Sequence, residues 1–214
     1  MTSPDLQTKD RFAAIVLAAG MSRRMGRHKP LLPIGDRPLI AHVVDSIATA
    51  GVQRIFVVTG YQTADVHEAL AGRLVELIEN TDYVAGGMLS SVKLGVRAAR
   101  DHCDAFFISL GDQAFVLPET FQELMQALSR SRAPILLPTH NGKHGHPILV
   151  SSSCADAILA LKSNETLNDF TNRYADRAFD VRVNDPAVLE DLDTPEDYLR
   201  LLAQQKGELC PNPR

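Results

Sequence analysis

The segment Leu17-Ala-Ala-Gly-Met-Ser-Arg-Arg-Met-Gly-Arg-His-Lys29 holds the densest set of chemically useful residues in the chain. Gly20 and Gly26 let main-chain N–H groups turn inward around an anion. Ser22 adds a hydroxyl donor. Arg24 and Lys29, with Arg23 and Arg27 beside them, add positive charge. An arginine can fork across two phosphate oxygens, whereas a lysine acts as a point charge. The segment is not a Walker A loop, because Gly26 is followed by Arg27-His28 and not by Lys-Ser/Thr, and it contains no G-x-G-x-x-G. It reads as a cradle for a small anion. A ligand-free basic surface loop is the alternative, and its place directly after a short apolar run speaks against that.

Four other groups of residues could act with it. Asp112, in Ser109-Leu-Gly-Asp-Gln113, ends an apolar run. Such an Asp often only caps a turn, but Mg²⁺ bound to phosphates takes one or two carboxylates and fills its remaining positions with water and phosphate oxygen. In Asp191-Leu-Asp193, alternation along an extended segment points both carboxylates the same way, so either could complete a metal site. The competing reading is an acidic turn before a helix capped by Thr194. In Gly86-Gly-Met-Leu-Ser-Ser91, Ser91 fits the start of a helix as an N-cap. His140, His144 and His146 flank a Gly-containing turn. With no carboxylate or cysteine close by in the chain, substrate contact through His146, or turn packing, is favoured over zinc.

The elements that must position these residues follow from patterning. Phe12 to Ala18, Arg54 to Thr59, Leu74 to Glu79 and Ala105 to Leu110 are short apolar runs of the kind that form buried parallel strands. Between and after them lie helical patterns: one from Pro38 that exits at Gly51, then Thr63 to Ala71, Ser90 to Arg100 and Pro118 to Ser129. The alternation predicts an α/β, Rossmann-like doubly wound, mostly parallel sheet with helices on both faces. Ligands in such folds sit at the carboxyl edge of the sheet, where the loops after the strands gather. After Ala133 the rhythm changes to a β-hairpin insertion. Pro134 to Pro138 and Pro147 to Val150 read as strands, and Asn141-Gly142 is a strong turn signal. Helices over Ala155 to Leu161 and Glu165 to Tyr174, a strand through Phe179 to Val183 and a final helix opened by Thr194-Pro-Glu-Asp197 complete the chain.

The 214 residues suffice for one core. Residues 1–10 read as a loose segment, 11–204 as a single domain and 205–214 as a tail. Within the domain, 11–115 forms a nucleotide-binding half and 116–204 an acceptor-binding half. A hydrophobic content of 45% and a charged content of 22% are ordinary for a globular protein. A net charge of −4 with one local basic cluster argues against nucleic acid as a partner. Cys103, Cys154 and Cys210 are scattered and odd in number, which fits a reducing, cytoplasmic setting better than a disulfide framework. The run after Lys9 and Arg11 is too short for a signal peptide, and no stretch approaches the ~20 apolar residues of a membrane span.

Taken together, Leu-Ala-Ala-Gly-x-Ser-x-Arg-Met-Gly-x-x-Lys, Gly87-Met-Leu-Ser-Ser91, Gly111-Asp-Gln113, Gly145-His-Pro147 and Asp191-Leu-Asp-Thr-Pro-Glu-Asp-Tyr198 resemble the MocA/MobA-like molybdenum cofactor nucleotidyltransferases of the wider GT-A-like fold. The resemblance runs from Phe12 to about Leu202. It implies that Leu17, Ala18, Ala19, Gly20, Ser22, Arg24, Lys29, Ser91 and Asp112 contact a nucleotide, with Ser91 near the base. It makes Arg24, Lys29 and Asp112 the catalytic set, and Mg²⁺ the cofactor, held by Asp112 with Asp193 or Asp191. His146 falls on the acceptor side. The implied reaction is transfer of CMP from CTP to the terminal phosphate of molybdopterin or the molybdenum cofactor, with release of pyrophosphate. A molybdoenzyme or its maturation chaperone is a further implied partner. Leu-Ala-Ala-Gly favours cytidine where guanylyl relatives tend to read Leu-Ala-Gly-Gly. The remaining alternatives are a guanylyl or other nucleotidyltransferase acting on a sugar or polyol phosphate, and a non-catalytic nucleotide-binding module. One departure is Ala114, which replaces a frequent Pro; guanylyl relatives tend to carry Asn in the Asp191-Leu-Asp193 stretch.

Overall fold

A computed structural model describes residues 10–22, 25–190 and 192–205. At its centre lies β1, Asp10–Ala18, flanked on both sides by parallel strands, β4, Arg54–Thr59, and β6, Cys103–Leu110. A strand enclosed on both edges and both faces must be apolar throughout, and Ala13, Ala14, Ile15 and Val16 have no exposed surface. Beyond β4 lies β5, Glu76–Glu79, also parallel. Beyond β6 the polarity reverses. β9, Ile148–Ser151, is antiparallel to both β6 and β7, Ile135–His140, and β10, Ala178–Arg182, then runs parallel to β7. The strand order is thus β10-β7-β9-β6-β1-β4-β5. A short β8, Lys143–His144, folds back on β7 through Asn141 and Gly142, both at positive φ as a two-residue hairpin requires. A separate pair, β2 at Pro33–Ile34 and β3 at Arg37–Pro38, was not anticipated from the pattern.

Alternation along the strands sends side chains into two cores. Ala14, Val16 and Ala18 of β1 join one core with α1, Leu39–Thr49, α2, Thr63–Ala69, and α4, Pro118–Ser131. Ala13 and Ile15 join the other with α3, Gly87–Ala99, α5, Ala155–Leu159, and α6, Leu167–Arg173. The last helix, α7, Pro195–Gln205, adds Leu201 to the first core. Helices therefore cover both faces, as the doubly wound reading requires. Burial and not capping holds α1 in place: it has no side-chain cap, a loss of about 1 kcal/mol. Its buried Leu39, Ile40, Val43, Val44 and Ile47 contribute roughly 1.5–3 kcal/mol each. Among the described residues no helix is long and apolar enough to cross a membrane.

Some boundaries differ from the sequence reading. β5 begins at Glu76 and not Leu74, whose side chain is 91% exposed beyond the Arg73 turn. α3 begins at Gly87 and not Ser90, because Gly87 adopts φ +58 and turns the chain into the helix early. Ser91 is consequently not an N-cap; Gly86 holds that place, and Ser91 lies inside the helix. Pro38 sits just before α1 and is not its first residue.

Helix α3 comes close to the sheet at Gly95, where an added Cβ would lie 2.2 Å from Cγ2 of the fully buried Ile15. Gly95→Ala is expected to destabilise the protein by about 1–3 kcal/mol through overpacking. A urea titration should show a lower midpoint with an unchanged slope; an unchanged midpoint would mean that α3 can move freely off β1.

Candidate active site

The loop after β1 is held at its root by two backbone contacts. The Leu17 carbonyl accepts the Gly111 N–H at 2.9 Å, and the Ala19 carbonyl accepts the Tyr61 N–H at 3.1 Å. Both contacts need a residue without a side chain nearby: a Cβ on Gly111 would lie 2.7 Å from the Leu17 oxygen, and one on Gly60 would lie 2.9 Å from the Ala19 methyl. The loop then turns through Ser22 and Gly26, at φ +51 and +65. Ser22 Oγ accepts the Lys29 N–H at 3.1 Å, closing the loop on itself. Arg24 lies outside the described residues.

Beneath the loop, His28 is 5% exposed and stands edge-on to Tyr61, with ring centroids 5.3 Å apart. Neither ring nitrogen makes a hydrogen bond among the described residues. Burial pushes its pKa below the ordinary 6.5, and the nearby Ala18 and Gly20 carbonyls and the charge of Asp65 offset this only in part.

Lys29 reaches from the end of the loop to two distant segments. Its Nζ donates to Asp112 Oδ2 at 3.0 Å and to Asp193 Oδ1 at 2.8 Å. Burial alone would lower its pKa; the hydrogen bond it donates to Asp193 and the charge of Asp112 outweigh that and raise it, keeping the ammonium protonated. Asp112 is carried by the turn that ends β6. Asp193 is held at the mouth of α7 by the Thr194–Asp197 capping box. Asp197 Oδ2 accepts the Asp193 N–H at 3.1 Å and the Thr194 N–H at 2.8 Å, and Thr194 Oγ1 accepts the Asp197 N–H at 3.2 Å. Asp191 lies outside the described residues.

These residues line one cavity of about 710 Å³, a size typical of small-molecule sites. Leu17, Ala18, Ala19, Gly20, Ser22, Lys29, Ser91, Asp112, His146 and Asp193 all border it. Strand order gives the cavity a direction. Tyr83, Met88 and Ser91, which follow β5, stand on one side of the β1 loop. Asp112 and then His144, Gly145 and His146 stand on the other. The antiparallel course of β9 brings the residues before it to the edge where β1 and β6 end. Gly145 is pinned there, its N–H bonded to the Pro138 carbonyl at 2.9 Å and its Cα facing the Val188 oxygen, 2.1 Å from where a Cβ would be. His146 follows, its N–H bonded to the Val188 carbonyl at 2.9 Å before a cis peptide to Pro147.

The three histidines do not converge. His140 Nδ1 lies 3.2 Å from the Val183 carbonyl, His144 Nε2 lies 2.8 Å from Asp180 Oδ1, and His146 borders the cavity. The Asp180 partner comes from β10, remote in sequence, so no local pattern could have announced it. Sequence reasoning also passed over Asn80, Tyr83, Met88 and Gln113. Only the position of Asn80 at the end of an apolar run, shared with Asp112, could have drawn attention to it.

Comparison with known proteins places the chain. The description MobA-like NTP transferase domain matches residues 14–178. The chain belongs to the MobA-like NTP transferase family. The chain is also similar to the molybdenum cofactor cytidylyltransferase of Escherichia coli (strain K12), 33% identical over 187 residues, covering 86% of this chain and 92% of that one. A nucleotidyl transferase from Methanothermobacter superposes with a TM-score of 0.79 at 27% identity, covering 91% of this chain and 97% of that one. Rv0371c of Mycobacterium tuberculosis H37Rv, solved in complex with manganese, superposes with a TM-score of 0.75 at 23% identity, over 90% of this chain and 98% of that one, and shares the fold. This MobA-like chain is a nucleotidyltransferase.

The buried His28 gives a pH prediction. Its folded pKa lies below 6.5, so the unfolded chain takes up the proton first as pH falls. The stability linked to His28 is complete above about pH 7 and is lost as pH drops through 6.5 toward the folded value. His28→Phe, which keeps a ring against Tyr61, should flatten the melting temperature between pH 7 and 5.5 relative to the unaltered protein. Parallel curves for the two would rule this out.

Proposed function

We propose that the chain transfers CMP from CTP to the terminal phosphate of molybdopterin or the molybdenum cofactor and releases pyrophosphate. The observation that carries this reading is the meeting of Lys29, Asp112 and Asp193 at the edge of one cavity, directly after the loop that can cradle a triphosphate. Residues 11–115 supply the nucleotide side and residues 116–204 the acceptor side, with His146 toward the acceptor.

The donor set fits a divalent cation. Two carboxylate oxygens converge on one point, and a cationic nitrogen occupies it at 3.0 and 2.8 Å. Hard oxygen ligands that leave positions open for water and phosphate suit Mg²⁺. Asp112 and Asp193 would hold it, with Asp191 the alternative second ligand. When bound there, Mg²⁺ supplies positive charge against the triphosphate oxygens.

The chain's own residues do the remainder. Lys29 has to leave the carboxylate pair before the pair can take a metal, and once free its ammonium stands beside the loop where phosphates would lie. Arg24 and the loop N–H groups add to that positive field, which offsets charge building on the α-phosphate and the leaving pyrophosphate. The acceptor phosphate has a second pKa near ~6 and is already largely a dianion at neutral pH. It can attack the α-phosphorus without a general base, so positioning by the cavity walls is the main demand on the protein.

Cytidine is favoured at the base by Ala19. Its methyl is packed against Gly60, where Tyr83 also closes in at 2.8 Å from a notional Cβ. That leaves less room than a second glycine would give to a purine. The Gly145-His146-Pro147 corner supports the pterin acceptor over a sugar or polyol phosphate.

Three outcomes test the reading. Pyrophosphate release from CTP with molybdopterin should exceed that from GTP, and CTP at ~100 times its Kd should stabilise the fold by about 2.7 kcal/mol; a larger thermal shift with GTP would overturn the base choice. Asp112→Asn should reduce turnover by at least about a hundredfold, the usual scale for losing one preorganised electrostatic partner, with circular dichroism unchanged. Lys29→Met should let the nucleotide-free protein bind Mn²⁺ about tenfold more tightly by electron paramagnetic resonance, a gain of ~1.4 kcal/mol. Equal Mn²⁺ affinities would show that Lys29 does not compete for the carboxylates.

A further inference from the structure

Asn80 directly follows β5 and is 1% exposed, next to the part of the cavity bordered by Ser91. The proposed function assigns it no role. Its hydrogen bonds, however, can run in only one direction. The Asp82 main-chain N–H, which can only donate, lies 2.9 Å from Asn80 Oδ1. That identifies the oxygen of the amide and turns the NH₂ group the other way. The two amide hydrogens go to two hydroxyl oxygens, Ser90 Oγ at 2.7 Å and Ser91 Oγ at 2.9 Å. Ser90 passes its own hydrogen to the Gly87 carbonyl at 2.8 Å. The Ser91 oxygen accepts from Asn80, and its hydrogen meets no acceptor among the described residues.

We infer that Asn80 is a positioning residue for nucleotide recognition: by donating to Ser91 it sets the Ser91 hydroxyl to donate into the cavity, toward a hydrogen-bond acceptor on the base. A hydroxyl is otherwise indifferent, able to donate or accept as its hydrogen rotates. The amide narrows that freedom. It blocks a lone pair of the oxygen with a donor whose own direction is enforced by the main chain. The chemical class this selects is a ring with a carbonyl or unprotonated ring nitrogen facing α3. Cytosine offers both, at O2 and N3. Ser91 is itself only 4% exposed, so a base group of the wrong polarity there would be left unpaired out of water, which is costly. Asn80 also has a fixed seat from which to act, because its N–H bonds to the Thr59 carbonyl at 2.8 Å, at the end of a central strand.

The inference rests on the proposed nucleotide site, and the test separates the two. The near-isosteric Asn80→Asp, measured at pH 8 where a carboxylate is ionised, reverses the relay. The carboxylate accepts from both seryl hydroxyls and from Asp82, and Ser91 then shows the cavity only lone pairs. Calorimetric titration with CTP should give about a tenfold weaker Kd for Asn80→Asp, with melting showing the protein folded. In a Ser91→Ala background, which has no hydroxyl to orient, Asn80→Asp should change the Kd less than about twofold, a coupling that independent sites do not show. A loss of the same size in both backgrounds, or no loss in either, overturns the inference. Asn80→Ser, a smaller side chain, serves in the same cycle if Asn80→Asp fails to fold, with the same expected coupling. If the unaltered protein binds GTP and not CTP, the base reading falls and the cycle is run with GTP, whose O6, N7 and N3 are also acceptors. If it binds neither, both readings fall.

Discussion

The contact on which the site depends is the one between Lys29 and two carboxylates that lie 83 and 164 residues further along the chain. It joins the loop after β1, the turn after β6 and the start of α7. Each of those segments has its own local anchor: Leu17 to Gly111, Ser22 to Lys29, and the Thr194–Asp197 capping box. None of the anchors would bring the three together alone. Only the doubly wound order, with β1 and β6 side by side, sets the first two segments next to each other. The 3-10 turn at Pro186–Leu189, bonded to His146 through Val188, leads the chain back to deliver the third. The ion pair is partly exposed, and such pairs contribute modestly to stability. Its importance is geometric, since it holds two like charges close together by keeping a cation between them.

Much of this was readable because burial leaves a strong mark on sequence. β1 is enclosed on every side, so its run of small and branched apolar residues could belong to little else. α1 and the capping box of α7 follow from period and from Thr194 and Asp197 alone. The resemblance to the family rested on residues in loops and at the ends of the elements beside them, where chemistry more than packing decides identity. The misread boundaries share a cause. Gly86 and Gly87 look like punctuation, and the sequence alone does not say that Gly87 turns left-handed and begins the helix. Leu74 looks like part of a strand until the structure leaves it in water. Asn80 was invisible for a deeper reason. Its role is a direction of hydrogen bonding, and that is settled by the Asp82 N–H, two seryl oxygens and a carbonyl meeting in space.

The two halves of the cavity are built by different rules. On the side of β1, β4 and β5, parallel strands end at the cavity and their following loops enter it, as in any doubly wound sheet. On the other side the antiparallel β9 inverts this relation. There the residues that precede a strand reach the carboxyl edge, which is how Gly145 and His146 come to stand beside Asp112 at the cavity. A loop that follows a parallel strand must run on into a helix that packs on the sheet, and this ties its length and direction to the core. The Gly145-His146-Pro147 corner is bound by no such helix. It is held by the Pro138 and Val188 carbonyls and by a glycine that admits no side chain. The side built by the β1 loop and its neighbours is therefore constrained by the fold itself, whereas the Gly145 side is constrained by a few backbone contacts. Changes at that corner can reshape the pocket without disturbing β1, β6 or the Lys29 contact.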